Sequence, residues 1–429
     1  MKIAFFTLGC KVNQYETQCL REKFAKLGHN IVNENADFDA VVINSCTVTA
    51  ESDRKTRQIL HRFRRKNPNA VIVLTGCMVQ AFPEAAADLF DADIVVGNTD
   101  ISKIIELTER FLASKQRIFE VIPHEAGEKF NTPDITSFAE RTRAYMKIED
   151  GCDRFCSYCI IPTARGRVRS KPLEAIKHEA EELARNGYSE VVLVGINLSA
   201  YGKNTQINLC DAVETVCAVD GIERVRLGSL EPDHISDEML QRFKSQEKFC
   251  PQFHLSLQSG CDSTLKRMNR HYDSQFYLDL ITRIRKMFPS AAITTDVMVG
   301  FAGETEEEFL QSLNFVKKVQ FAKAHVFAYS RREGTVAYNL QNQVTNQEKS
   351  RRSKLMIEAT LQSEKEFLNS QIGNSFPVLF ETEENGYAVG YTPNYSRVKV
   401  KCNNDILGEI KNVQIVSCEN DYCVGKLND

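Results

Sequence analysis

A C-x3-C-x2-C run on one short stretch constrains this chain more than any other feature of its sequence. The run consists of Cys152, Cys156 and Cys159, and the aromatic residue Tyr158 directly precedes the last cysteine. Three thiolates on one loop can each bind one iron of a 4Fe–4S cluster, which normally takes four thiolate ligands. The spacing therefore predicts a cluster whose fourth iron has no ligand from this loop and is open to another molecule.

Structural zinc and disulfides are the other common uses of clustered cysteines. A zinc site takes four ligands, usually from paired C-x2-C or C-x2-H units, and no such pair stands beside this loop. Disulfides belong to secreted proteins, and the first apolar run, around Phe6, is shorter than the roughly 7–15 residues of a signal peptide. No stretch approaches the roughly 20 apolar residues that cross a membrane. We therefore expect the 14 cysteines to be reduced or metal-bound and the protein to be cytoplasmic.

The 429 residues predict two or three domains in an α/β protein, and the first domain spans residues 1–115. Short runs rich in Val, Ile and Phe alternate there with helical patterns, which is typical of an open parallel sheet with helical crossovers. The expected strands are Lys2–Thr7, Asp39–Ile43, Val71–Thr75 and Ile94–Val96.

Three further cysteines, Cys10, Cys46 and Cys77, each follow a predicted strand and precede a predicted helix. The carboxyl ends of parallel strands share one edge of the sheet, where ligands bind, so the three thiols should converge. Gly9 and Gly76 precede two of them and would let backbone N–H groups approach a cluster. The alternative is that these cysteines are small buried side chains, which is a common role. Their convergence favours a second cluster that faces the first across a shared cavity.

A second alternating region follows a connector, residues 116–137, and occupies residues 138–368. Six βα units indicate a partial (β/α)6 barrel rather than the eight units of a closed one. The expected strands are Ala144–Ile148, Glu190–Val194, Arg224–Gly228, Gln252–Leu257, Ile293–Val299 and Ala324–Tyr329. Residues 369–429 contain short strands between Gly, Asn and Asp turns, which predicts a small antiparallel β-barrel.

Polar residues follow the strands at the catalytic end of the predicted barrel, where such folds bind their cofactors. Ordinary capping or turn roles are the alternative for each of them. Asp296 is the most unusual, because a carboxylate on an apolar strand needs a partner or a function. The candidates for a cofactor pocket are Tyr158, Gly195, Asn197, Glu231, Gln258 and Asp296.

The net charge of -3 excludes a uniformly basic nucleic-acid binder, so any RNA contact must be local. A basic run directly after the Cys loop is expected to contact phosphates beside the cofactor. A second basic run, residues 54–66, is equally compatible with a solvated helix face. In the last domain, aromatic residues are expected to stack on RNA bases. The candidate RNA contacts are Arg165, Arg167, Arg169, Lys171, Tyr391 and Tyr395.

Together these features resemble the radical SAM enzymes and, among them, the methylthiotransferase family. The Cys loop is similar to the superfamily signature, and the joint occurrence of two cysteine trios is specific to the family. The resemblance covers essentially the whole chain, and residues 390–395 lie in a region similar to a TRAM domain. The opening TLGCKVN, residues 7–13, is most similar to the subgroup that acts on threonylcarbamoyladenosine next to the tRNA anticodon.

The resemblance implies two 4Fe–4S clusters and S-adenosylmethionine (SAM) as cofactors. SAM at the Cys loop would yield a 5′-deoxyadenosyl radical, which removes hydrogen from carbon 2 of the adenine. The other trio would supply the sulfur, and another SAM would methylate it. The implied partners are a tRNA and an unidentified electron-donor protein, and we expect a monomer that contacts no membrane.

The predicted function is methylthiolation of carbon 2 of N6-threonylcarbamoyladenosine in tRNA. Two alternatives use the same chemistry on isopentenyladenosine in tRNA or on an aspartate of a ribosomal protein. A third alternative, of a different class, is an iron–sulfur carrier or redox protein that does not cleave SAM. The polar residues at the mouth of the predicted barrel argue against this last alternative.

Overall fold

Six short parallel strands form the N-terminal sheet of the computed structural model, which describes residues 1–138, 142–401 and 405–428. They lie in the order β2-β1-β3-β4-β5-β6. The strands are β1 Lys2–Thr7, β2 Asn30–Val32, β3 Ala40–Ser45, β4 Val71–Gly76, β5 Ile94–Val96 and β6 Ile118–Glu120. The helices are α1 Lys11–Lys26, α2 Ala50–Lys66, α3 Cys77–Ala81, α4 Pro83–Ala87 and α5 Lys103–Ser114.

The buried strands of this sheet are the ones that the sequence predicts. Every residue of β3 and β4 is buried, as expected for parallel strands with helices on both faces. The short edge strands β2 and β6 have no expected counterpart, because three residues carry too little pattern to be recognised. Residues 118–120, placed by the sequence in the connector, thus complete the first sheet.

The central region is a partial barrel of parallel strands. Its two sheets, β7-β10-β11 and β12-β13-β14-β15, meet at Gly228, which separates β11 from β12. β8 pairs antiparallel with β9, and the Cys loop and α6 lie between them in the chain. The strands are β7 Arg143–Lys147, β8 Glu149–Asp150, β9 Arg169–Ser170, β10 Glu190–Val194, β11 Arg224–Leu227, β12 Ser229–Leu230, β13 Gln252–Leu255, β14 Ala292–Val299 and β15 Lys323–Ala328.

Helices cover the outside of the barrel with amphipathic faces. α12, for example, begins with a capping box in which Thr305 and Glu308 satisfy each other's backbone N–H groups. The helices are α6 Ile161–Arg165, α7 Leu173–Arg185, α8 Leu209–Cys217, α9 Asp237–Lys244, α10 Asp262–Arg267, α11 Ser274–Met287, α12 Glu306–Val319 and α13 Asn346–Asn369. None of the helices in the described ranges has the combination of length and hydropathy that a membrane crossing requires.

The C-terminal strands close into a small barrel in the order β16-β17-β18-β20-β19. They are β16 Ser375–Glu384, β17 Tyr387–Tyr391, β18 Arg397–Lys401, β19 Ile410–Glu419 and β20 Tyr422–Leu427. The sequence predicts an antiparallel barrel, and the described pairings are antiparallel except between β18 and β20, which pair in parallel. This parallel pair closes the barrel and leaves no open edge.

A buried ion network joins the C-terminal barrel to the central one. Glu190 is fully buried and binds Arg226 Nε at 2.8 Å and Arg224 Nη1 at 3.4 Å. The same two guanidiniums donate to C-terminal carbonyl oxygens, Arg224 to Tyr391 at 3.0 Å and Arg226 to Pro393 at 2.9 Å. The carboxylate of Glu190 therefore positions and neutralises the two arginines that bind the C-terminal barrel to the central one.

We expect Glu190→Ala to destabilise the protein by about 3–5 kcal/mol, because it leaves buried guanidiniums without their carboxylate. The loss is measured as a fall in the free energy of unfolding in urea. Glu247→Ala, which removes the same charge from an exposed loop, is the matched control and should change stability by less than about 0.5 kcal/mol. Equal effects of the two substitutions would show that the network contributes little.

Candidate iron–sulfur and cofactor site

The three N-terminal cysteines converge at the carboxyl edge of their sheet. Cys10 is the N-cap of α1, Cys46 follows β3, and Cys77 begins α3. The side-chain oxygen of Asn13 lies 3.7 Å from the sulfur of Cys10 and 3.9 Å from that of Cys77. A Cβ atom at Gly9 would stand 3.1 Å from the sulfur of Cys46, so only glycine lets these segments approach so closely.

A buried arginine lies against this N-terminal trio. Arg165, at the end of α6, is completely buried, and its Nε donates to the sulfur of Cys77 at 3.2 Å. Its Nη2 donates to Asn13 Oδ1 at 2.8 Å, and it forms an ion pair with Glu16 on α1. Arg165 therefore ties the thiol site to the central domain and supplies positive charge beside it.

The Cys loop is held by backbone hydrogen bonds to neighbouring segments. Cys152 N–H donates to Gly166 O at 3.0 Å, and Ser157 N–H donates to Met268 O at 3.0 Å. The guanidinium of Arg270 lies 3.3 Å from the sulfur of Cys156. Each trio thus has one arginine within hydrogen-bonding distance of a sulfur.

Burial keeps several of these thiols protonated in the protein alone. It raises the pKa of Cys77, Cys152 and Cys159 to about 12, and neighbouring thiols reinforce the shift. Among the described residues, no group of three His, Cys, Asp or Glu side chains closes around a single metal ion. A 4Fe–4S cluster does not need three ligands on one metal ion, because each cysteine binds a different iron of the cluster. Soft thiolate donors fit such a cluster, and its binding would release protons.

Three buried polar atoms in the barrel have no hydrogen-bond partner among the described residues. They are Asn197 Oδ1 after β10, Gln258 Oε1 after β13 and Glu149 Oε1 in β8. Glu149 Oε2 accepts the backbone N–H of Asn197 at 2.7 Å and would lie 2.6 Å from a Cβ at Gly195. Burial raises the pKa of Glu149 well above its usual range. These unmatched atoms suit a polar cofactor, as SAM is.

The remaining candidates for the cofactor pocket have protein partners. Glu231 forms ion pairs with Arg270 and, at 3.6 Å, with Arg154. Asp296 Oδ2 lies 3.3 Å from His254 Nε2. Tyr158 packs its ring edge-on against Phe301, with the ring centres 6.3 Å apart. Their roles toward a cofactor stay predictions.

Cysteines of the two trios line two of the cavities in the described structure, and the expectation that the trios face one shared cavity stays a prediction. A cavity of about 630 Å³, here called the inner cavity, lies between the N-terminal domain and the barrel interior and is lined by Cys10, Gly195 and Asp296. A second cavity of about 610 Å³ is lined by Cys156 and Cys159.

The basic run after the Cys loop does not form an RNA-binding surface. Arg165, Arg169 and Lys171 are buried and ion-paired, Lys171 with Glu179 on α7, so phosphates cannot reach them. Arg167 is the exception, with 61% of its side chain exposed, and its RNA contact stays a prediction.

Tyr391 and Tyr395 lie where the C-terminal barrel meets the central one. Their rings are stacked, with centres 4.7 Å apart. The guanidinium of Arg143 lies 5.0 Å from both ring centres, and that of Arg226 lies 4.7 Å from the ring of Tyr395. Tyr395 also lines the inner cavity. RNA stacking on these rings stays a prediction, and their observed neighbours are arginines.

Known proteins match the chain along almost its whole length. A family model described as the radical SAM superfamily matches residues 146–316, and one described as uncharacterized protein family UPF0004 matches residues 2–97. The threonylcarbamoyladenosine tRNA methylthiotransferase MtaB of Bacillus subtilis is 37% identical, over 99% of this chain and 96% of that protein. The chain belongs to the radical SAM methylthiotransferase family. The family prediction from the sequence is confirmed.

Two further comparisons place this methylthiotransferase more broadly. A tRNA-2-methylthio-N(6)-dimethylallyladenosine synthase of Caldicellulosiruptor saccharolyticus is 32% identical, over 98% of this chain and 91% of that protein. The solved structure of the radical SAM methyltransferase TsrM from Kitasatospora setae superposes with a TM-score of 0.58 at 13% identity, covering 78% of this chain and 76% of that one. At that identity the likeness supports the fold alone.

Family membership makes the protein an enzyme that uses SAM and a 4Fe–4S cluster. The sequence did not single out Glu149 or Arg270, and it presented Arg165 as an RNA contact rather than as a contact of a thiol. One signal was present for Glu149, because it directly follows an apolar strand and stands just before the Cys loop. Arg270 and Arg165 offered no such signal, since their contacts join segments far apart in the chain.

We expect Gly151→Ala to lower the iron content of the protein as purified under nitrogen. Gly151 has a φ of +88°, and a Cβ there would collide with the carbonyl oxygen of Arg167, which would displace the Cys loop. Gly187→Ala is the control, because its φ of +86° imposes the same backbone strain but no atom lies within 4 Å. Retention of full iron by Gly151→Ala would show that the loop tolerates the displacement.

Proposed function

We propose that this enzyme adds a methylthio group to carbon 2 of N6-threonylcarbamoyladenosine, next to the anticodon of a tRNA. The support is twofold. Relatives named for this reaction are 35–37% identical over nearly the full chain, whereas relatives named for dimethylallyladenosine are 31–32% identical. The inner cavity beside Cys10 also has the polarity that the threonylcarbamoyl group requires. Activity on tRNA would place the enzyme in the cytoplasm, as the sequence analysis expects.

The charge of the inner cavity is the observation that carries the choice of substrate. Of the described residues that line it, Lys11, Arg143, Arg226 and Lys323 are cationic, and Asp296 carries a carboxylate. A threonylcarbamoyl group ends in a carboxylate and a hydroxyl, which need polar partners when they leave water. A dimethylallyl group is a hydrocarbon and gains from an apolar wall instead. The cavity therefore favours the threonylcarbamoyl substrate.

The two cysteine trios are proposed to hold one 4Fe–4S cluster each. When bound, the clusters and SAM would supply the electron, the radical and the sulfur chemistry. The chain's own residues orient these groups and exclude water from them, with Arg165 and Arg270 beside the sulfurs and the free atoms of Asn197 and Gln258 toward SAM. An electron-donor protein completes the proposal, since the reductant must come from outside the chain.

We expect about eight irons per chain after anaerobic reconstitution, because two 4Fe–4S clusters would be present. The triple variant Cys10→Ala/Cys46→Ala/Cys77→Ala should lose half of the iron and sulfide, and so should the triple variant at 152, 156 and 159. Iron and sulfide assays measure this directly. Cys217→Ala, at a buried cysteine on α8 outside both trios, is the control and should keep all of the iron. A wild-type protein with only one cluster would refute the second site.

We expect deletion of the gene to abolish 2-methylthio-N6-threonylcarbamoyladenosine from the cell's tRNA. Mass spectrometry of nucleosides measures this. Complementation with wild type or Cys217→Ala should restore the nucleoside, whereas Cys156→Ala should not, because it removes a proposed iron ligand. Loss of the dimethylallyl derivative instead would assign the enzyme to that substrate. An unchanged set of methylthio-nucleosides would refute a tRNA substrate altogether.

A further inference from the structure

The edge strand of the partial barrel presents an unusual row of side chains. Residues of β15 that alternate along one face, Lys323, His325 and Phe327, are all exposed. Lys323 and His325 line the inner cavity. A strand that closed a barrel would bury such a face, so this row borders the gap that the incomplete barrel leaves. The gap is one side from which a substrate can reach the inner cavity.

The neighbouring strand completes a polar wall beside this row. In the register of β14 and β15, Thr294 pairs with Lys323 and Asp296 with His325. His254 on β13 binds Thr294 Oγ1 at 3.0 Å through Nδ1 and approaches Asp296 at 3.3 Å through Nε2. The carboxylate of Asp296 therefore already has a polar neighbour within the wall.

The cations of the inner cavity differ in how far they are already neutralised. Arg143 binds Glu381 at 2.6 Å, and Arg226 binds Glu190 at 2.8 Å, and both guanidiniums are buried. Lys323 has one carboxylate contact, Glu364 at 3.1 Å, and 49% of its side chain is exposed. An ammonium carries three N–H donors, so Lys323 can bind a second anion without losing Glu364.

We propose that Lys323, with His325 beside it, binds the carboxylate end of the threonylcarbamoyl group and so determines the choice of substrate. This inference rests on the proposed function and assigns its specificity to two residues. The ammonium of Lys323 offers a charge-assisted hydrogen bond to the carboxylate, which is stronger than a neutral one. A nitrogen of the His325 ring can bond the threonyl hydroxyl or the ureido group. The alternative dimethylallyl substituent offers neither partner.

Binding of three anticodon stem-loop RNAs to the reconstituted full-length protein, without SAM, tests this subsite. The RNAs are identical except at one adenosine, which is unmodified, threonylcarbamoylated or dimethylallylated, and fluorescence anisotropy gives each Kd. Wild type should prefer the threonylcarbamoyl RNA. Lys323→Ala should weaken binding of the threonylcarbamoyl RNA about tenfold, because one hydrogen bond to a charged group is lost. It should leave the Kd of the unmodified RNA unchanged. Lys323→Arg should keep most of the preference.

The matched control is Lys317→Ala, which removes the same charge from the exposed side of α12 and should change none of the three affinities. His325→Ala is the second variant and should also reduce the preference for the threonylcarbamoyl RNA. An equal loss of affinity for all three RNAs in Lys323→Ala would indicate a phosphate contact and overturn the subsite. An undiminished preference in both variants would overturn it as well.

These outcomes are separable from failure of the proposed function. If the deleted strain loses 2-methylthio-N6-threonylcarbamoyladenosine but Lys323→Ala and His325→Ala keep the preference, the reaction stands and the subsite is wrong. If the strain keeps that nucleoside, the proposed function is wrong. The subsite is then also refuted, since its ligand would not be the substrate.

Discussion

The buried guanidinium of Arg165 is the interaction on which the arrangement of this enzyme depends. It joins three parts of the chain, because it contacts Cys77 at the start of α3, Glu16 from α1 and, at 3.6 Å, Asp150 just before the Cys loop. A fully buried cation is costly unless its partners surround it, and here they come from both domains. Seating of the N-terminal domain on the central barrel therefore brings the compensating partners of Arg165 together beside Cys77.

The same electrostatic requirement recurs at the Cys loop. Cluster sulfides and thiolates are anionic, and burial makes that charge expensive unless cations or hydrogen-bond donors compensate it. Arg270 lies beside the sulfur of Cys156 as Arg165 lies beside that of Cys77, and Arg270 forms an ion pair with Glu231. Donors to cluster sulfur and buried positive charge also raise the reduction potential, which eases electron entry. Arg165 thus links the packing of two domains to the proposed cluster chemistry, whereas Arg270 links segments of the central barrel alone.

The sequence was sufficient for the fold class and for the gathering of cysteines, because both follow from strand and helix periodicity. β1, β5 and β10 begin and end at the predicted residues, and the N-terminal cysteines converge because parallel strands share one carboxyl edge. The basic run failed as an RNA surface for a physical reason. Whether a cation is solvated or buried depends on a carboxylate that only the fold brings near, as Glu179 is brought to Lys171. Ion pairs that form only in the folded protein produce no periodic pattern in the sequence.

The position of the C-terminal barrel follows from the same kind of pairing and bears on function. Residues 370–429 are not basic, so attraction of RNA by charge alone does not explain why the enzyme carries this domain. The stacked rings of Tyr391 and Tyr395 instead lie on Arg143, and Tyr395 reaches the inner cavity. Arg143 contacts the aromatic pair and also lines the cavity. A shift of the C-terminal barrel on RNA binding would therefore move a wall of the cavity in which the substrate base is proposed to lie.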